Sequence, residues 1–445
     1  MKHKPGSPTG WAPTSDWIAR SGQPLRGRIR VPGDKSISHR SIMLGALARG
    51  VTEVDGFLEG EDTRATASAF AAMGVRIEGD GGVRRIVGAG PNGLKAPAQP
   101  LDLGNSGTGM RLMAGILAAQ RFASTLVGDE SLSRRPMKRV VEPLRRMGAS
   151  IATREGGLAP LAFAPVDALK AIDLVTDVPS AQVKSCVLLA GLHATGTTRV
   201  REAHATRDHS ERMLRAFGVD VRERDGWIEV DGGARLEGTN IDVPGDFSSA
   251  AFFLVAASLV PGSDLVIERV GVNPLRTGLL QALWAMGANI DVENERVAGA
   301  EPIADLRVRA AALHGIEVPE ALVPDMIDEF PVLFAAASLA EGRTVVRGAA
   351  ELRVKESDRI AAMANALRAL GATIEETPDG AVIDGGTLRG GALDSRGDHR
   401  IAMASAVAAQ CAKGEVKIAD CANVATSFPG FVALASSAGM AVRGL

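Results

Sequence analysis

The stretch PGDKSISHR, residues 32–40, opens a pattern that the chain repeats. In each copy a polar or charged cluster starts an Ala- and Gly-rich apolar helix, which runs through a glycine into a Thr/Val strand. The further clusters are GNSGTGMR from Gly104, PSAQVKS from Pro179, PGDFSSA from Pro244, PDMIDEF from Pro324 and GDHRIAM from Gly397. Helix starts attract anions through unpaired N–H groups and the helix dipole. The pattern therefore predicts a cleft that holds several negative charges.

A second pattern alternates with the first and consists of a helix that ends in a glycine before an alternating strand. Its copies are AAMGVRI at Gly74, RRMGASI at Gly148, RAFGVDV at Gly218, WAMGANI at Gly287, RALGATI at Gly371 and SSAGMAV at Gly439. Each unit then reads strand, helix, strand, helix, strand, strand, which predicts α/β sheets packed against helices. Units of about seventy residues bury a core only in groups. We therefore expect two domains of three units each.

The symmetry of the repeats also predicts the domain boundaries. The first copy starts at Pro32 and the fourth at Pro244, and LRGRIRV before Pro32 has the composition of a strand that completes the second half. We predict a first domain over residues 33–243, inserted into a second domain made of residues 23–32 and 244–445. The preceding residues 1–22 are rich in Pro, Gly and Ser, which predicts a loose N-terminal extension.

Composition argues against several classes of function. The net charge of −2 provides no bulk basic field for nucleic acid, and aromatic and basic residues are not interleaved. The longest apolar run, from Ala250, is too short to span a bilayer, and the N-terminus lacks the apolar segment of a secretory signal. The three cysteines form no CxxC pair, and the seven histidines lack metal-ligand spacing. These features predict a cytoplasmic protein with free thiols.

Each basic cluster has two interpretations. In the first cluster, Lys35 and His39 share one helix face, as do Ser36 and Arg40, so the cluster can hold a phosphate or can be a capped, solvated helix start. Arg134 and Arg135 precede Pro136 at a predicted helix start, where the dipole disfavours cations. They indicate an anionic ligand, or else a surface pair balanced by Glu130 or Glu142. Ser180 is an adequate N-cap even without a ligand.

The acidic residues are fewer. Asp325 and Asp358 stand where helix caps are expected. Asp328 and Glu356 face a different interpretation, because a carboxylate among clustered cations stays ionised and can accept a proton from a hydroxyl. We take these two as acid/base candidates, with Lys355 and Arg359 supplying charge on either side.

Taken together, PGDKSISHR, GNSGTGMR, SRRPM, SAQVKS, RDHSERM, MIDEF, RVKESDR and GDHRIAM resemble the 5-enolpyruvylshikimate-3-phosphate (EPSP) synthase family, in its class II form. These motifs run in order from Lys35 to Arg400. The resemblance implies a two-domain inverse α/β barrel with three βαβαββ repeats per domain and an active site in the interdomain cleft that closes on its substrates. It also implies transfer of the enolpyruvyl group of phosphoenolpyruvate to shikimate 3-phosphate, a step of aromatic amino-acid biosynthesis. It implies a monomer without metal or organic cofactor.

The resemblance assigns roles by motif. The implied shikimate 3-phosphate ligands are Lys35, Ser36, Arg40, Ser180, Ala181, Gln182, Arg207, Asp328 and Lys355. The implied phosphoenolpyruvate ligands are Lys35, Gly107, Arg135, Gln182, Arg359 and Arg400. Asp328, Glu356 and Lys35 are the implied catalytic residues: Asp328 takes the 5-hydroxyl proton, while Glu356, with Lys35, serves the methylene carbon.

Two positions depart from or qualify the family pattern. Many members carry a lysine near the C-terminal ATSFPGF stretch, where this chain has Thr426, so one phosphoenolpyruvate contact is missing or replaced. In the family, an alanine at Gly107 crowds the herbicide glyphosate more than phosphoenolpyruvate, so this motif gives no reason to expect glyphosate tolerance.

Two rival functions remain at this point. The sister transferase acting on UDP-N-acetylglucosamine shares the fold, but it usually carries a reactive cysteine on a loop whose counterpart here, GDESLSRRPM, has none. A degenerate anion-binding protein would have lost its acid/base residues, whereas Asp328 and Glu356 are both present.

Overall fold

Two hydrophobic cores divide the molecule. The computed structural model describes residues 16–176 and 179–445. One core is built from buried side chains between Ile37 and Val243. The other joins Trp17–Val31 to Phe247–Val442. This partition has the chain order that the predicted insertion of residues 33–243 requires.

The secondary structure over the described residues alternates throughout. The strands are β1 (Trp17–Arg20), β2 (Arg26–Ile29), β3 (Val51–Asp55), β4 (Arg76–Glu78), β5 (Arg84–Val87), β6 (Leu101–Asp102), β7 (Ser124–Val127), β8 (Ile151–Arg154), β9 (Leu158–Phe163), β10 (Leu169–Lys170), β11 (Asp173–Thr176), β12 (Ala194–Thr195), β13 (Thr197–Glu202), β14 (Arg222–Arg224), β15 (Trp227–Asp231), β16 (Asn240–Asp242), β17 (Asp264–Gly271), β18 (Asn289–Ala298), β19 (Glu301–Arg309), β20 (Arg343–Val346), β21 (Thr373–Thr377), β22 (Gly380–Asp384), β23 (Arg389–Asp394), β24 (Lys413–Ala419) and β25 (Ala441–Gly444). The helices are α1 (Lys35–Leu47), α2 (Glu61–Ala72), α3 (Gly107–Leu117), α4 (Lys138–Arg146), α5 (Ala181–Gly191), α6 (His209–Ala216), α7 (Phe247–Leu259), α8 (Gly278–Ala285), α9 (Phe330–Ala337), α10 (Arg359–Ala369), α11 (His399–Ala409) and α12 (Phe431–Ala438).

The sheets repeat one small design. In the second unit, β6 runs parallel to β7, β7 pairs with β9 in antiparallel fashion, and β9 pairs likewise with β8. The other four-stranded sheets have the same order of parallel and antiparallel pairs. In the fifth unit the first strand is reduced to a bridge between Glu317 and Val345, which leaves a three-stranded sheet. The predicted inverse α/β barrel with three βαβαββ repeats per domain is confirmed.

The two cores exchange strands where the chain passes between them. β2 lies in the second core and runs parallel to β17, as the LRGRIRV pattern predicts, while β16 runs parallel to β3 in the first core. The two connecting segments, Pro32–Asp34 and Pro244–Asp246, lie side by side. Each aspartate N–H donates to the opposite proline carbonyl at 2.8 Å. These paired segments are called the crossover below.

Three inner helices fill each core and begin at the same end of it. α1, α3 and α5 belong to the first core, and α7, α9 and α11 to the second. Their residues are buried nearly all round, as expected for helices whose apolar side chains cover every face. Outer helices such as α4 and α6 bury only one face. The polar clusters of the sequence therefore mark the starts of the inner helices.

The predicted loose extension over residues 1–22 is wrong for its last part. β1, Trp17–Arg20, pairs with β24 and β25, and Trp17 stacks on Phe431 with ring centroids 5.4 Å apart. These partners lie at the opposite end of the chain, so the local Pro and Gly content does not reveal the strand. Residues 1–15 lie outside the described residues. No helix in the described part of the chain combines the length and apolarity that a membrane crossing needs.

Candidate active site

A cleft of about 560 Å³ lies between the two cores at the starts of the inner helices. More Lys and Arg than Asp and Glu side chains line it, although the whole chain carries a net charge of −2. All the predicted site residues line this cleft: Lys35, Ser36, Arg40, Gly107, Arg135, Ser180, Ala181, Gln182, Arg207, Asp328, Lys355, Glu356, Arg359 and Arg400. The sequence clusters thus converge on one cationic site.

Arg40 is a buried cation held by neutral groups. Its guanidinium donates to Ser210 Oγ at 2.8 Å, to Ser185 Oγ at 2.9 Å and to the Ser36 carbonyl at 2.9 Å. Burial, the largest influence, lowers the pKa of Arg40 to about 10. The side chain is therefore charged at neutral pH, and an anion at the start of α1 would meet this charge.

Gln182 lies at the start of α5 and is fixed by the start of α3. Its Oε1 accepts from Arg111 Nη1 at 2.6 Å, and its Nε2 donates to Thr108 Oγ1 at 2.9 Å. Burial, followed by repulsion from Arg135 and Arg139, lowers the pKa of Arg111 to about 10. Arg111 belongs to the GNSGTGMR motif, but sequence reasoning gave it no role.

Of the two neighbouring arginines, Arg134 forms a surface ion pair and Arg135 lies in the cleft. Arg134 is exposed and donates to Glu130 Oε1 at 2.8 Å, which is the surface pair. Arg135 is buried, donates to Asn105 Oδ1 at 2.5 Å, and lies 3.4 Å from Glu356 Oε1 across the cleft. Only Arg135 is therefore available to a ligand in the cleft.

The predicted helix start at this motif is wrong. Residues Leu132–Arg134 form a 3₁₀ turn, Arg135 is extended, and α4 begins only at Lys138. Because a residue before proline avoids the helical region, Arg135 turns out of the helix path.

Helix capping accounts for several polar residues. Ser180 Oγ accepts from Val183 N at 3.4 Å, and Asp358 Oδ1 accepts from Ala361 N at 3.0 Å, as the capping interpretation predicts. The capping prediction for Asp325 is wrong, because α9 begins at Phe330, beyond a separate 3₁₀ turn over Pro324–Met326.

Asp328 connects both sides of the cleft. Its Oδ2 accepts from Arg207 Nη2 at 2.5 Å, and its Oδ1 lies 3.3 Å from Arg359 Nη1 and 4.0 Å from Lys355 Nζ. Burial opposes its ionisation, but the surrounding cations, Arg207 foremost, hold the pKa of Asp328 well below its usual range. Asp328 is therefore ionised at neutral pH.

Glu356 occupies a similar position between two guanidinium groups. Its Oε2 lies 2.5 Å from Arg359 Nη2 and its Oε1 lies 3.4 Å from Arg135 Nη1. Burial again opposes ionisation, and Arg359 and Arg135 hold the pKa of Glu356 well below its usual range. Arg359 thus contacts both acid/base candidates, which places Asp328 and Glu356 on either side of one guanidinium.

Asp398 fixes the orientation of Arg359. This fully buried carboxylate accepts from Arg359 Nε at 2.9 Å, and its other oxygen accepts from Arg400 N at 2.9 Å at the start of α11. Arg400 Nη1 donates to the Asp328 carbonyl at 3.0 Å. Arg359 and Arg400 are therefore pre-oriented towards the same part of the cleft.

Lys35 reaches across the cleft to the second core. Its Nζ lies 3.0 Å from Asp62 Oδ2 and 2.6 Å from Ser427 Oγ. Ser427 in turn lies 3.2 Å from His399 Nε2. The neighbouring Thr426, at the position of the family lysine, donates its hydroxyl to the Asn423 carbonyl at 2.7 Å instead of supplying a cation.

Sequence reasoning missed a buried pair at the wall of the cleft, which Arg276 helps to line. Arg276 Nη1 donates to both oxygens of Glu329 at 3.0 and 3.1 Å, and Ser248 bonds to both residues. A lone arginine in the apolar stretch around NPLRTGLL was the available signal. The pair joins the starts of α7 and α9 and supports Arg400, whose Nη2 donates to Ser248 Oγ at 3.2 Å.

The five four-stranded sheets and the three-stranded sheet of the described residues, together with the strand exchange and the cationic cleft, define an inverse α/β barrel of the enolpyruvyl transferase type. A family model described as EPSP synthase (3-phosphoshikimate 1-carboxyvinyltransferase) matches residues 19–434. The chain is 61% identical over 431 residues to a 3-phosphoshikimate 1-carboxyvinyltransferase of Xanthomonas euvesicatoria pv. vesicatoria, covering 97% of this chain and 98% of the relative.

Solved structures give the same result. A structure of EPSP synthase from Acinetobacter baumannii is similar with a TM-score of 0.87 and 52% identity, covering 97% of this chain and 99% of that one. A second structure from the same organism has a TM-score of 0.86 and 50% identity, with coverage of 96% and 99%. The chain belongs to the EPSP synthase family. It is thus an enzyme of the shikimate pathway that transfers the enolpyruvyl group of phosphoenolpyruvate to shikimate 3-phosphate.

Proposed function

We propose that the cleft performs this transfer by addition and elimination, with Asp328 and Glu356 as the two proton-handling groups. Addition removes the proton of the shikimate 5-hydroxyl and protonates the methylene carbon of phosphoenolpyruvate, which gives a tetrahedral ketal. Elimination then reverses the proton roles and releases phosphate. The position of Arg359 between Asp328 and Glu356 is the observation that carries this proposal.

Asp328 is the proposed base for the 5-hydroxyl. A carboxylate that stays ionised among the surrounding cations is ready to accept a proton. A phosphate that draws Arg207 away from Asp328 would remove its strongest cationic partner, and this raises the basicity of the carboxylate when substrate is bound. Lys355 and Asp328 then meet the ring hydroxyls.

Glu356 and Lys35 are the proposed groups at the methylene carbon. Glu356 lies beside Arg135 and Arg359, which we assign with Gly107, Gln182 and Arg400 to phosphoenolpyruvate. Arginine suits this assignment because its planar fork binds carboxylate and phosphate in bidentate fashion. Lys35 brings an ammonium from the start of α1, which Asp62 and Ser427 hold in the cleft.

The shikimate 3-phosphate is proposed to bind the first core. Lys35, Ser36 and Arg40 would bind it, and its phosphate and ring would be held by Ser180, Ala181, Gln182 and Arg207. Arg40 supports this placement because its neutral partners leave its charge available to an anion. The cross-cleft contact between Arg207 and Asp328 supports a closed arrangement that excludes water from the reacting carbons.

Phosphate release from phosphoenolpyruvate tests the acceptor. The protein would be assayed with shikimate 3-phosphate and, separately, with UDP-N-acetylglucosamine. Release with shikimate 3-phosphate alone is expected. Release with the nucleotide sugar alone would overturn the substrate assignment, and no release by folded protein would support a degenerate binding protein.

We also propose that the protein works as a monomer in the cytoplasm. Its cysteines are free, with Cys186 and Cys421 buried. The cleft draws its lining from both cores of one chain, so a second copy is not needed to complete it. Light scattering coupled to size exclusion should give a mass near 46.2 kDa, whereas twice that mass would contradict the monomer.

A further inference from the structure

The ammonium of Lys184 is buried inside the first core. Lys184 is the only charged residue of α5, and 1% of its side chain is exposed. Its Nζ lies 2.8 Å from Glu202 Oε2 and 2.8 Å from Glu211 Oε1, and it donates to the Thr206 carbonyl at 2.9 Å. One side chain of α5 is therefore bonded to β13, to α6 and to the loop between them.

Glu202 also holds the loop between β13 and α6 by hydrogen bonds. Its carboxylate accepts from Thr206 Oγ1 at 2.6 Å and from Thr206 N at 3.2 Å. Lys184 and Glu202 together thus bind the carbonyl, the amide and the hydroxyl of Thr206. Arg207 is the next residue, so these bonds to Thr206 restrict the position of the Arg207 backbone.

The helix that carries Lys184 begins at the substrate cleft. α5 begins at Ala181, one turn before Lys184, with Ser180 as its N-cap. The neighbours of Lys184 and Glu211 in sequence, Ser185 and Ser210, both bond to Arg40. The cluster itself therefore bonds α5 to α6 and to the loop that carries Arg207, and the serines next to it in sequence bond to Arg40 on α1.

The charges of the cluster make it sensitive to substitution. One ammonium faces two carboxylates that are almost fully buried. Removing one partner of such a group leaves a buried charge uncompensated, whereas removing a pair of opposite charges is tolerated much better. Substitution of Lys184 alone and together with Glu211 separates the effect of charge from the effect of the bond to Thr206.

We propose that Lys184 is a positioning residue that sets the distance between the start of α5 and Arg207, and thereby the geometry of the shikimate 3-phosphate site. The inference rests on the proposed assignment of Ser180 and Arg207 to that phosphate. Lys184 does not line the cleft and touches no reacting atom. It acts through the Thr206 backbone.

The test compares Lys184→Met with the double variant Lys184→Met/Glu211→Gln. The dissociation constant of shikimate 3-phosphate is measured by calorimetry without phosphoenolpyruvate, alongside both KM values and the melting temperature. The double variant should recover most of the melting temperature lost in the single one, because one buried carboxylate charge is removed with the lysine. Both should bind shikimate 3-phosphate at least about tenfold more weakly, which corresponds to about 1.4 kcal/mol, with little change in the KM for phosphoenolpyruvate.

Controls distinguish the possible failures. Lys138→Met makes the same change at a lysine whose side chain is 67% exposed, and it should leave binding unchanged. Arg207→Ala should weaken shikimate 3-phosphate binding directly; an unchanged affinity there would refute the site assignment itself. If Arg207→Ala weakens binding and the folded double variant does not, the positioning role of Lys184 is overturned. Should neither Lys184 variant fold, Lys184→Arg keeps a cation facing Glu202 and Glu211 but moves the donor that bonds to the Thr206 carbonyl, and an unchanged affinity in that variant overturns the role instead.

Discussion

Replacing Asp328 by asparagine removes the proposed base while keeping a side chain of the same size. In the structure this carboxylate lies 2.5 Å from Arg207, 3.3 Å from Arg359 and 4.0 Å from Lys355. Asparagine can still bond to a ring hydroxyl, but it cannot accept a proton. A positioned general base contributes about 10²- to 10⁴-fold in rate, so we expect kcat to fall by that factor, or about 3–5 kcal/mol in barrier height.

The affinity of Asp328→Asn for shikimate 3-phosphate should not fall with kcat. Two unit charges about 4 Å apart interact by about 4 kcal/mol at an effective dielectric constant of about 20. Loss of the Asp328 charge therefore leaves the surrounding cations more attractive to the anionic substrate. We expect shikimate 3-phosphate to bind Asp328→Asn as tightly as the parent or more tightly.

Phosphate release would give kcat, and calorimetry would give the affinity for shikimate 3-phosphate. Asp325→Asn is the matched control, because Asp325 lies three positions away, does not line the cleft and should leave kcat unchanged. A kcat of Asp328→Asn within about a factor of three of the parent would refute the base assignment. A loss of affinity matching the loss of rate would show instead that Asp328 acts in binding.

Two further predictions concern neighbouring residues. A Cβ on Gly107 would lie 3.1 Å from Arg135 Nη1 and 3.3 Å from Arg111 Nη1, so Gly107→Ala should raise the KM for phosphoenolpyruvate several-fold without loss of stability; an unchanged KM would contradict this. Burial, the largest influence, lowers the pKa of His39 from 6.5 to about 3. Between pH 6.5 and pH 3 this imidazole is therefore protonated in the unfolded chain and neutral in the folded chain. Stability should therefore fall as the pH drops through this window, by about 1.4 kcal/mol per pH unit from this group. The free energy of unfolding, measured with urea at pH 6 and at pH 5, should fall less between these pH values in His39→Gln than in the parent. An equal fall in both proteins would contradict the prediction.

The sequence predicts those parts of the site that lie at helix starts, where a few neighbouring residues determine the local structure. PGDKSISHR and its copies mark the inner helix starts, because caps, glycines and apolar runs are readable within one helix turn. The strand before Pro32 is also predictable, since the repeat leaves the fourth unit one strand short. These local features place Lys35 and Asp328 at inner helix starts, whereas Arg207, which precedes the outer helix α6, is assigned to the site only by the family resemblance.

Other features depend on partners distant in sequence. β1 pairs with residues about four hundred positions away, and nothing in WIAR indicates that pairing. Arg276 and Glu329 lie 53 positions apart and become a buried pair only when the turn before α8 meets the start of α9. The late start of α4 is a different case, because Pro136 is a local signal for the extended conformation of Arg135 that the helix prediction does not use.

The strand exchange at the crossover imposes an order on synthesis. β1 and β2 are made first, but their partners β17, β24 and β25 are made only after the whole first core has been synthesised. During that time both strands present unpaired backbone edges, which are liable to pair with other chains. The first core, by contrast, receives β16 as its last strand and can close its sheets while the rest is still being translated. The strands β1 and β2 are thus made first and are among the last to reach their final place.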